Sequence, residues 1–296
     1  MKSIKTRLII LAAILATVAV VAVAVFAYNR FRSDESSQIT TVKVGVDSDS
    51  YNDIWDAVNA ELTKNKSGIQ VELVHMDGSQ INAATANGEL DLNAFQHHAF
   101  LDDQNESEGY DLTTYANTFI QPMNVYSDSI ESLDDLKDGD SVVLPNNPTN
   151  MGRALKVLER AGVLKTNPDK GYLPTEEDVT DNPKHLVFNP VEYPQVPRLL
   201  PDNAVGIINT NVAIDAGLDP IEDSIYSVPV NPDDEYNLPW INIIAGRATD
   251  AKNPAYVKVV EAYGTESVKK VIEEKHAGQC IYVFSDEVNP NQPAQD

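Results

Sequence analysis

The amino-acid sequence predicts an α/β protein, and three observations carry that expectation. Strand and helix signals alternate along almost the whole chain after residue 40, the pattern of α/β layers with largely parallel sheets. The strand segments are short β-branched runs, and the helix segments each carry one apolar face. At 296 residues the chain is long enough for two ordinary domains with their own cores, and no internal repeat divides it further.

The first segment stands outside the alternation. Lys2, Lys5 and Arg7 precede an apolar run over residues 8–28. At helical rise such a run spans roughly 30 Å, about the hydrocarbon core of a bilayer. A cleaved secretory signal has a shorter apolar part, about 7–15 residues. Residues 1–32 are therefore expected to be a retained transmembrane or signal anchor, with Ala22-Val23-Ala24 leaving cleavage and release as the alternative. Three basic residues before the run and two after it, Arg30 and Arg32, orient the N-terminus inward and the remainder outward, on the extracytoplasmic side of the cell membrane. Residues 33–41 are a polar linker.

After the linker, residues 41–46 alternate at period two and predict a strand. Residues 52–63 predict a helix with Ile54, Trp55, Val58 and Leu62 on one face. A strand over 70–75, a helix over 79–87 stopped by Gly88, and a short strand over 90–95 follow. Residues 112–126 read as mostly extended, with Pro122 in the middle. Next come a strand at 141–144, a helix at 153–161, a strand at 186–189 and a helix at 195–200. An apolar strand at 204–209, a short helix at 212–216 ended by Gly217, and a strand at 240–246 continue the pattern. Residues 254–275 hold one or two helices with Val257, Val260, Tyr263, Val268 and Ile272 inward. Residues 165–185 show little periodicity and read as a surface excursion, and 286–296 as a disordered tail.

Composition excludes several functions. Beyond residue 32 there are 17 basic and 45 acidic residues, a formal charge of −28 with no basic patch, which argues against nucleic acid and anionic lipid as partners. The lone Cys280 cannot form an intrachain disulfide, and no cysteine near the apolar run is available for lipid attachment. No Gly-x-Ser-x-Gly elbow, phosphate-binding Gly-Lys-Ser/Thr loop or zinc pattern occurs, so no enzyme is expected. His97-His98 alone suggests a metal. Neighbours on a strand point to opposite faces, however, and His75, His185 and His276 form no ligand spacing with them, so neither a metal nor a cofactor is expected.

The most informative stretch is Pro145-Asn146-Asn147-Pro148-Thr149-Asn150-Met151-Gly152-Arg153-Ala154-Leu155. A β-branched strand ends in a polar turn and a helix follows, with Asn150 and Arg153 three residues apart on one face of its first turn. A helix start favours an anion, and a planar guanidinium there suits a carboxylate. The plain alternative is a capped helix with a surface arginine.

This stretch, together with Asn93-Ala94-Phe95-Gln96-His97, Asn117-Thr118-Phe119, Ser132-Leu133-Asp134-Asp135-Leu136, Gln195-Val196-Pro197-Arg198 and Ile207-Ile208-Asn209-Thr210, resembles the methionine ABC-transporter substrate-binding proteins, the MetQ/NlpA lipoprotein family. The likeness extends over about residues 40–285. It implies a two-lobed, periplasmic-binding-protein-like fold of type II with a ligand cleft between the lobes. Lobe one would be 40–122 plus 241–285, and lobe two 123–240. The resemblance also implies a receptor that delivers L-methionine, or its D-enantiomer, to the permease and ATPase of an importer.

Transferred residue by residue, Arg153 and Asn150 would hold the ligand's carboxylate, Asn209 would be a ligand contact, and Asn242 would contact the ligand's backbone. Asn242 is unusual by itself, since it interrupts an apolar run and an amide there needs partners. Phe95, His97 and Phe100 would flank the side chain, and a thioether packs well against aromatic edges. Two departures stand out. The family's Gly-Pro-His-like turn after the first strand is Asp47-Ser48-Asp49-Ser50-Tyr51 here, and its Pro-Tyr after the histidine region is Ala99-Phe100. They keep another apolar amino acid or a small methionine peptide open as ligand. A sensor ectodomain that uses the same pocket without transport stays open too.

Overall fold

The structure, a computed structural model, describes residues 39–286 except residue 233. The expected anchor at 1–32, most of the linker and nearly all of the C-terminal tail lie outside the described residues. Among the described residues no helix is long and apolar enough to cross a membrane.

The chain runs through β1 (Thr40–Val46), α1 (Asn52–Lys64), β2 (Ile69–His75), α2 (Gly78–Ala86), β3 (Leu92–Asn93), α3 (His98–Glu108) and β4 (Leu112–Ile120). It continues through β5 (Met123–Tyr126), β6 (Ser141–Pro145), α4 (Pro148–Arg160), β7 (Lys165–Thr166), β8 (Val179–Asp181), β9 (Val187–Val191) and α5 (Val196–Leu199). The last elements are β10 (Val205–Asn209), α6 (Thr210–Asp215), β11 (Ser224–Ser227), β12 (Ile241–Arg247), α7 (Pro254–Tyr263), α8 (Glu266–Lys275) and β13 (Ile281–Ser285). One sheet has the order β13-β4-β12-β3-β1-β2, a second β11-β5-β10-β6-β9, and β7 pairs with β8 alone. The chain leaves the first sheet at Gln121-Pro122 and returns through the 3-10 turn Leu238–Trp240.

Alternation along the strands explains the layers. Val142 and Leu144 of β6 pack with Leu155 and Leu158 of α4, while Val143 between them packs on the opposite face with Val196 and Ile208. In the first sheet, Val42, Val44 and Val46 meet Ile54, Trp55 and Val58 of α1 and Tyr263, Val268 and Ile272 of α7 and α8. Each fully buried Val, Leu or Ile contributes about 1.5–3 kcal/mol, so these two cores are ample to hold both sheets.

The structure corrects several expectations. The sheets are mixed rather than largely parallel: β1 runs parallel to β2 and β3, and β6 to β9 and β10, but β4, β5, β11, β12 and β13 pair antiparallel. β5 and β12, the first strands after each crossing between the sheets, run antiparallel to their neighbours, which a local pattern does not record. Val257 is 40 % exposed, and Tyr256 and Val259 take the inward positions of α7 instead. The strand at 90–95 shrinks to Leu92–Asn93, and His97 and His98 lie not on it but at the start of α3, a helix with no apolar stripe to announce it. α3 is bounded by side-chain capping at His97 and by Gly109 at φ +72°, a left-handed position that suits glycine. The helix expected from residue 153 begins five residues earlier, at Pro148.

Candidate functional site

The carboxyl ends of β1, β3, β6 and β10 point toward one cavity between the two sheets, the usual place for a ligand in open α/β sheets. Its walls include all seven residues singled out from the sequence: Phe95, His97, Phe100, Asn150, Arg153, Asn209 and Asn242.

Arg153 lies on the second turn of α4, so its position does not depend on free backbone N–H groups at the helix start. Those are partly satisfied already, because the Asn147 side chain caps the helix by accepting from the Asn150 N–H at 3.0 Å. The grip expected at this helix start therefore rests on the guanidinium. Arg153 is 6 % exposed, and its Nη2 donates to the Gln121 carbonyl. Its guanidinium carbon sits 5.1 Å from the Trp240 ring centroid. No carboxylate pairs with it among the described residues, and burial pushes its pKa down to about 10. A buried cation without a counter-ion is unstable unless an anion joins it.

The polar groups around Arg153 are arranged to receive such an anion. Asn209, at the end of β10, donates through Nδ2 to Asn150 Oδ1 at 2.9 Å, and Asn150 Nδ2 donates to Asn147 Oδ1 at 3.0 Å. This chain of amides fixes Asn150 and Asn209 side by side. Asn242 sits in β12, its carbonyl accepting from the Thr118 hydroxyl at 2.8 Å and its backbone bridging to His97. The His97 Nδ1 accepts from the Phe100 N–H at 3.1 Å, which places the ring proton on Nε2. Burial, and then the charge of Arg153, push the His97 pKa down to about 3, so the ring is neutral. Its Nε2 is buried without a protein partner, as is the indole N–H of Trp240. Both are donors; His97 lines the cavity, whereas Trp240 packs behind it against Arg153 and His97.

Aromatic side chains line part of the cavity and back it. Phe95 and Phe100 meet edge to face at 5.9 Å between centroids, and His97 meets Trp240 edge to face at 5.1 Å. Behind Phe95 and His97 lies a buried amide network. Gln96 Nε2 donates to Asn82 Oδ1 at 2.7 Å and to Asn93 Oδ1 at 2.8 Å, and Asn93 Nδ2 donates to Thr85 Oγ1 at 3.0 Å. The polar residues of the Asn93–His97 motif thus divide their work: Asn93 and Gln96 stiffen the loop, and His97 faces the cavity. His98 turns away to Asn117 Oδ1 at 2.6 Å.

The divergent loop after β1 also reaches the cavity. The Tyr193 hydroxyl, from the second sheet's side, donates to Asp47 Oδ2 at 2.8 Å. Ser48 and Ser50 donate to Asp215 Oδ1 at 3.0 and 2.6 Å, and the Tyr51 hydroxyl meets Gln121. Burial pushes the Asp47 pKa up to about 6; the Tyr193 hydrogen bond opposes the rise, and Asp215 and Asp77 add to it. Cys280 is buried with its Sγ 3.6 Å from Gln121 Nε2, and burial pushes its thiol up to about 12, an inert structural cysteine.

Sequence reasoning missed Tyr193 and Gln121, which line the cavity, and Trp240, which packs behind it on Arg153, all through contacts distant in the chain. Only Trp240 left a signal, a bulky ring one residue past a proline and two before Asn242. The surface excursion at 165–185 contributes as well. Tyr172 meets the Trp240 ring edge to face at 5.7 Å, and its backbone lies so close to Gly152 that any side chain there would collide with the Tyr172 carbonyl.

Comparisons with known proteins place this geometry. The NlpA lipoprotein family matches residues 42–284. Lipoprotein 28 of Escherichia coli (strain K12) is 40 % identical over 250 residues, 83 % of this chain and 89 % of the relative. The D-methionine-binding lipoprotein MetQ of the same strain is 37 % identical over 227 residues, 76 % of this chain and 82 % of the relative. A nutrient-binding protein from Burkholderia cenocepacia, solved bound to methionine, superposes with a TM-score of 0.76 at 35 % identity, covering 82 % of this chain and 100 % of that one. The fold is the two-lobed α/β architecture of periplasmic binding proteins, and the chain belongs to the NlpA lipoprotein family.

Proposed function

We propose that the cavity binds one free amino acid, L-methionine or its D-enantiomer, and that the protein delivers it to the permease and ATPase of an ABC importer. The observation that carries this reading is Arg153, a buried guanidinium without a carboxylate partner at one end of an enclosed, partly aromatic cavity. The ligand's carboxylate completes the site there, with Asn150, Asn209 and the Nε2–H of His97 as further partners. Asn242, whose side chain lines the cavity, contacts the ligand backbone. Phe95 and Phe100 pack on the side chain, and methionine binding by two relatives, as their names state, supports a thioether. Binding and release are the whole task, so the protein is not an enzyme.

The lobes are read as 40–122 plus 241–285 and 123–240, a division supported by the two sheets and by the crossings at Gln121-Pro122 and Leu238–Trp240. The globular part works outside the cytoplasm, as the lipoprotein names of its relatives support. Residues 1–32 hold it to the membrane, a role that the N-terminal cysteine of a lipoprotein cannot fill because the chain's single cysteine is buried at position 280. Intact mass of the membrane-extracted protein should show the full N-terminus without diacylglycerol, and a chain starting near Val25 would refute retention.

The ligand assignment is tested by calorimetry on protein unfolded and refolded to strip carried solute, titrated with each amino acid. Saturable heat with methionine is expected. No heat with methionine and clear binding of another solute sinks the assignment. The loop at Asp47–Tyr51 supports one second reading, another apolar amino acid or a small methionine peptide, because it lines the cavity with residues that depart from the family's turn.

A further inference from the structure

We propose that Asp47 receives the ammonium group of the ligand and that Tyr193, reaching across from the other lobe, holds the Asp47 carboxylate in place for it. The inference rests on the amino-acid reading of the cavity and adds to it the recognition of the second charged end.

Asp47 directly follows β1 and lines the same cavity as Arg153. Its Oδ2 accepts the Tyr193 hydroxyl. Among the described residues no Lys, Arg or His forms an ion pair with it, and the charged groups that raise its pKa are Asp215 and Asp77, both acidic. The loop is therefore a carboxylate withdrawn from water and surrounded by like charge, with one oxygen already fixed by a neutral donor. Such a group is stabilised by a cation arriving with the ligand. The opposite problem, a buried guanidinium without an anion, exists at Arg153 in the same cavity, beside the unpartnered His97 Nε2. A zwitterion resolves both together, whereas a simple anion or a simple cation resolves one. A metal ion does not suit the Asp47 end: among the described residues no group of three or more His, Cys, Asp or Glu could hold one.

The backbone has been shaped for this arrangement. Gly78, the first residue of α2, lies directly against the Tyr193 hydroxyl, and a Cβ there would occupy the hydroxyl's place. Tyr193 sits just after β9 on the second lobe, so its bond to Asp47 forms only when the lobes are together. Ammonium recognition and closure are thereby linked in one contact.

The test uses stripped, full-length protein and calorimetry with methionine and its desamino analogue, which keeps the carboxylate and thioether but lacks the ammonium. Wild-type protein is expected to bind methionine on the order of 30-fold or more tightly than the analogue, the scale of losing one partner of a buried charge pair. Asp47→Asn should lose a similar factor for methionine and keep its affinity for the analogue. Tyr193→Phe should show a smaller loss confined to methionine. Equal affinity of wild-type protein for both ligands, or equal weakening of both by Asp47→Asn, overturns the proposal. Should wild-type protein prefer another amino acid, that acid and its desamino analogue replace the pair. If it binds no amino acid at all, the reading of the cavity fails instead, which wild-type titration alone reveals.

Discussion

At the scale of single residues, Arg153 and Asp47 carry opposite unbalanced charges, and each makes a measurable difference between free and bound protein. Replacing Arg153 by Met removes a buried cation that no carboxylate among the described residues neutralises. Such replacements by apolar residues of similar volume are neutral or stabilising. Arg153→Met is therefore expected to keep or raise the melting temperature of the ligand-free protein while abolishing the rise that methionine gives wild type, as scanning calorimetry with and without ligand would show. Asp47 gives a pH signature. Its pKa is about 6 in the folded chain against an ordinary 3.8. Between those values the folded state holds more protons than the unfolded state, so this group's contribution to stability is greatest in acid and is lost as pH rises through 6. Ligand binding has the opposite sign, because the ammonium needs the ionised carboxylate. Methionine affinity should weaken as pH falls from 7 to 5, and Asp47→Asn should flatten that dependence. The groups facing Asp47 are Tyr193, Asp77 and Asp215. On the carboxylate side, His97 near 3 and Arg153 near 10 keep one charge state across the window.

At the scale of elements, α4 shows how a helix places a site residue. Asn147 caps it, Pro148 occupies its first turn, and its apolar face, Ala154, Leu155, Val157 and Leu158, is clamped on the second sheet. The orientation of Asn150 and Arg153 follows from that clamping. Asn147→Ala should destabilise the protein by about 1 kcal/mol, the ordinary value of a helix cap. It should also weaken methionine binding, since Asn147 Oδ1 anchors the Asn150 amide; denaturant unfolding and calorimetry measure the two effects. The strongly periodic helices α1 and α4 were legible in sequence because a long apolar face leaves an unambiguous period. α3 was not, since its buried residues, His98, Ala99 and Leu101, cluster at one end and the rest is polar. β11 and β13 also escaped notice: their side chains are only partly buried at sheet edges, so no alternation develops.

At the scale of the molecule, the lobes touch through short polar contacts around the cavity. Ser48 and Ser50 reach Asp215, Tyr193 reaches Asp47, and the Arg153 guanidinium reaches the crossover at Gln121. The bonds to Asp215 and Asp47 are exposed or partly buried, each worth about 0.5–1.5 kcal/mol, an appropriate strength for a closure that must reopen to release its ligand. Asp215→Ala removes two of them without touching the carboxylate grip. It should raise the methionine dissociation rate by up to about tenfold and leave the association rate nearly unchanged, as stopped-flow tryptophan fluorescence would follow through Trp55 and Trp240. Unchanged dissociation would mean that these contacts contribute nothing to closure.

The sequence by itself determined the α/β class, the main helices and strands, the family, and seven residues that line one cavity. It could do so because amphipathic period and turn chemistry are local, and because Pro145 to Leu155 carries cap, turn and arginine within a few residues. Tertiary structure alone decided that Arg153 has no carboxylate partner among the described residues, that Trp240 lies under it, and that Tyr193 meets Asp47 across the cleft. Those facts depend on which groups share a desolvated space, and residues separated by 146 positions share it only after both sheets have formed and come together.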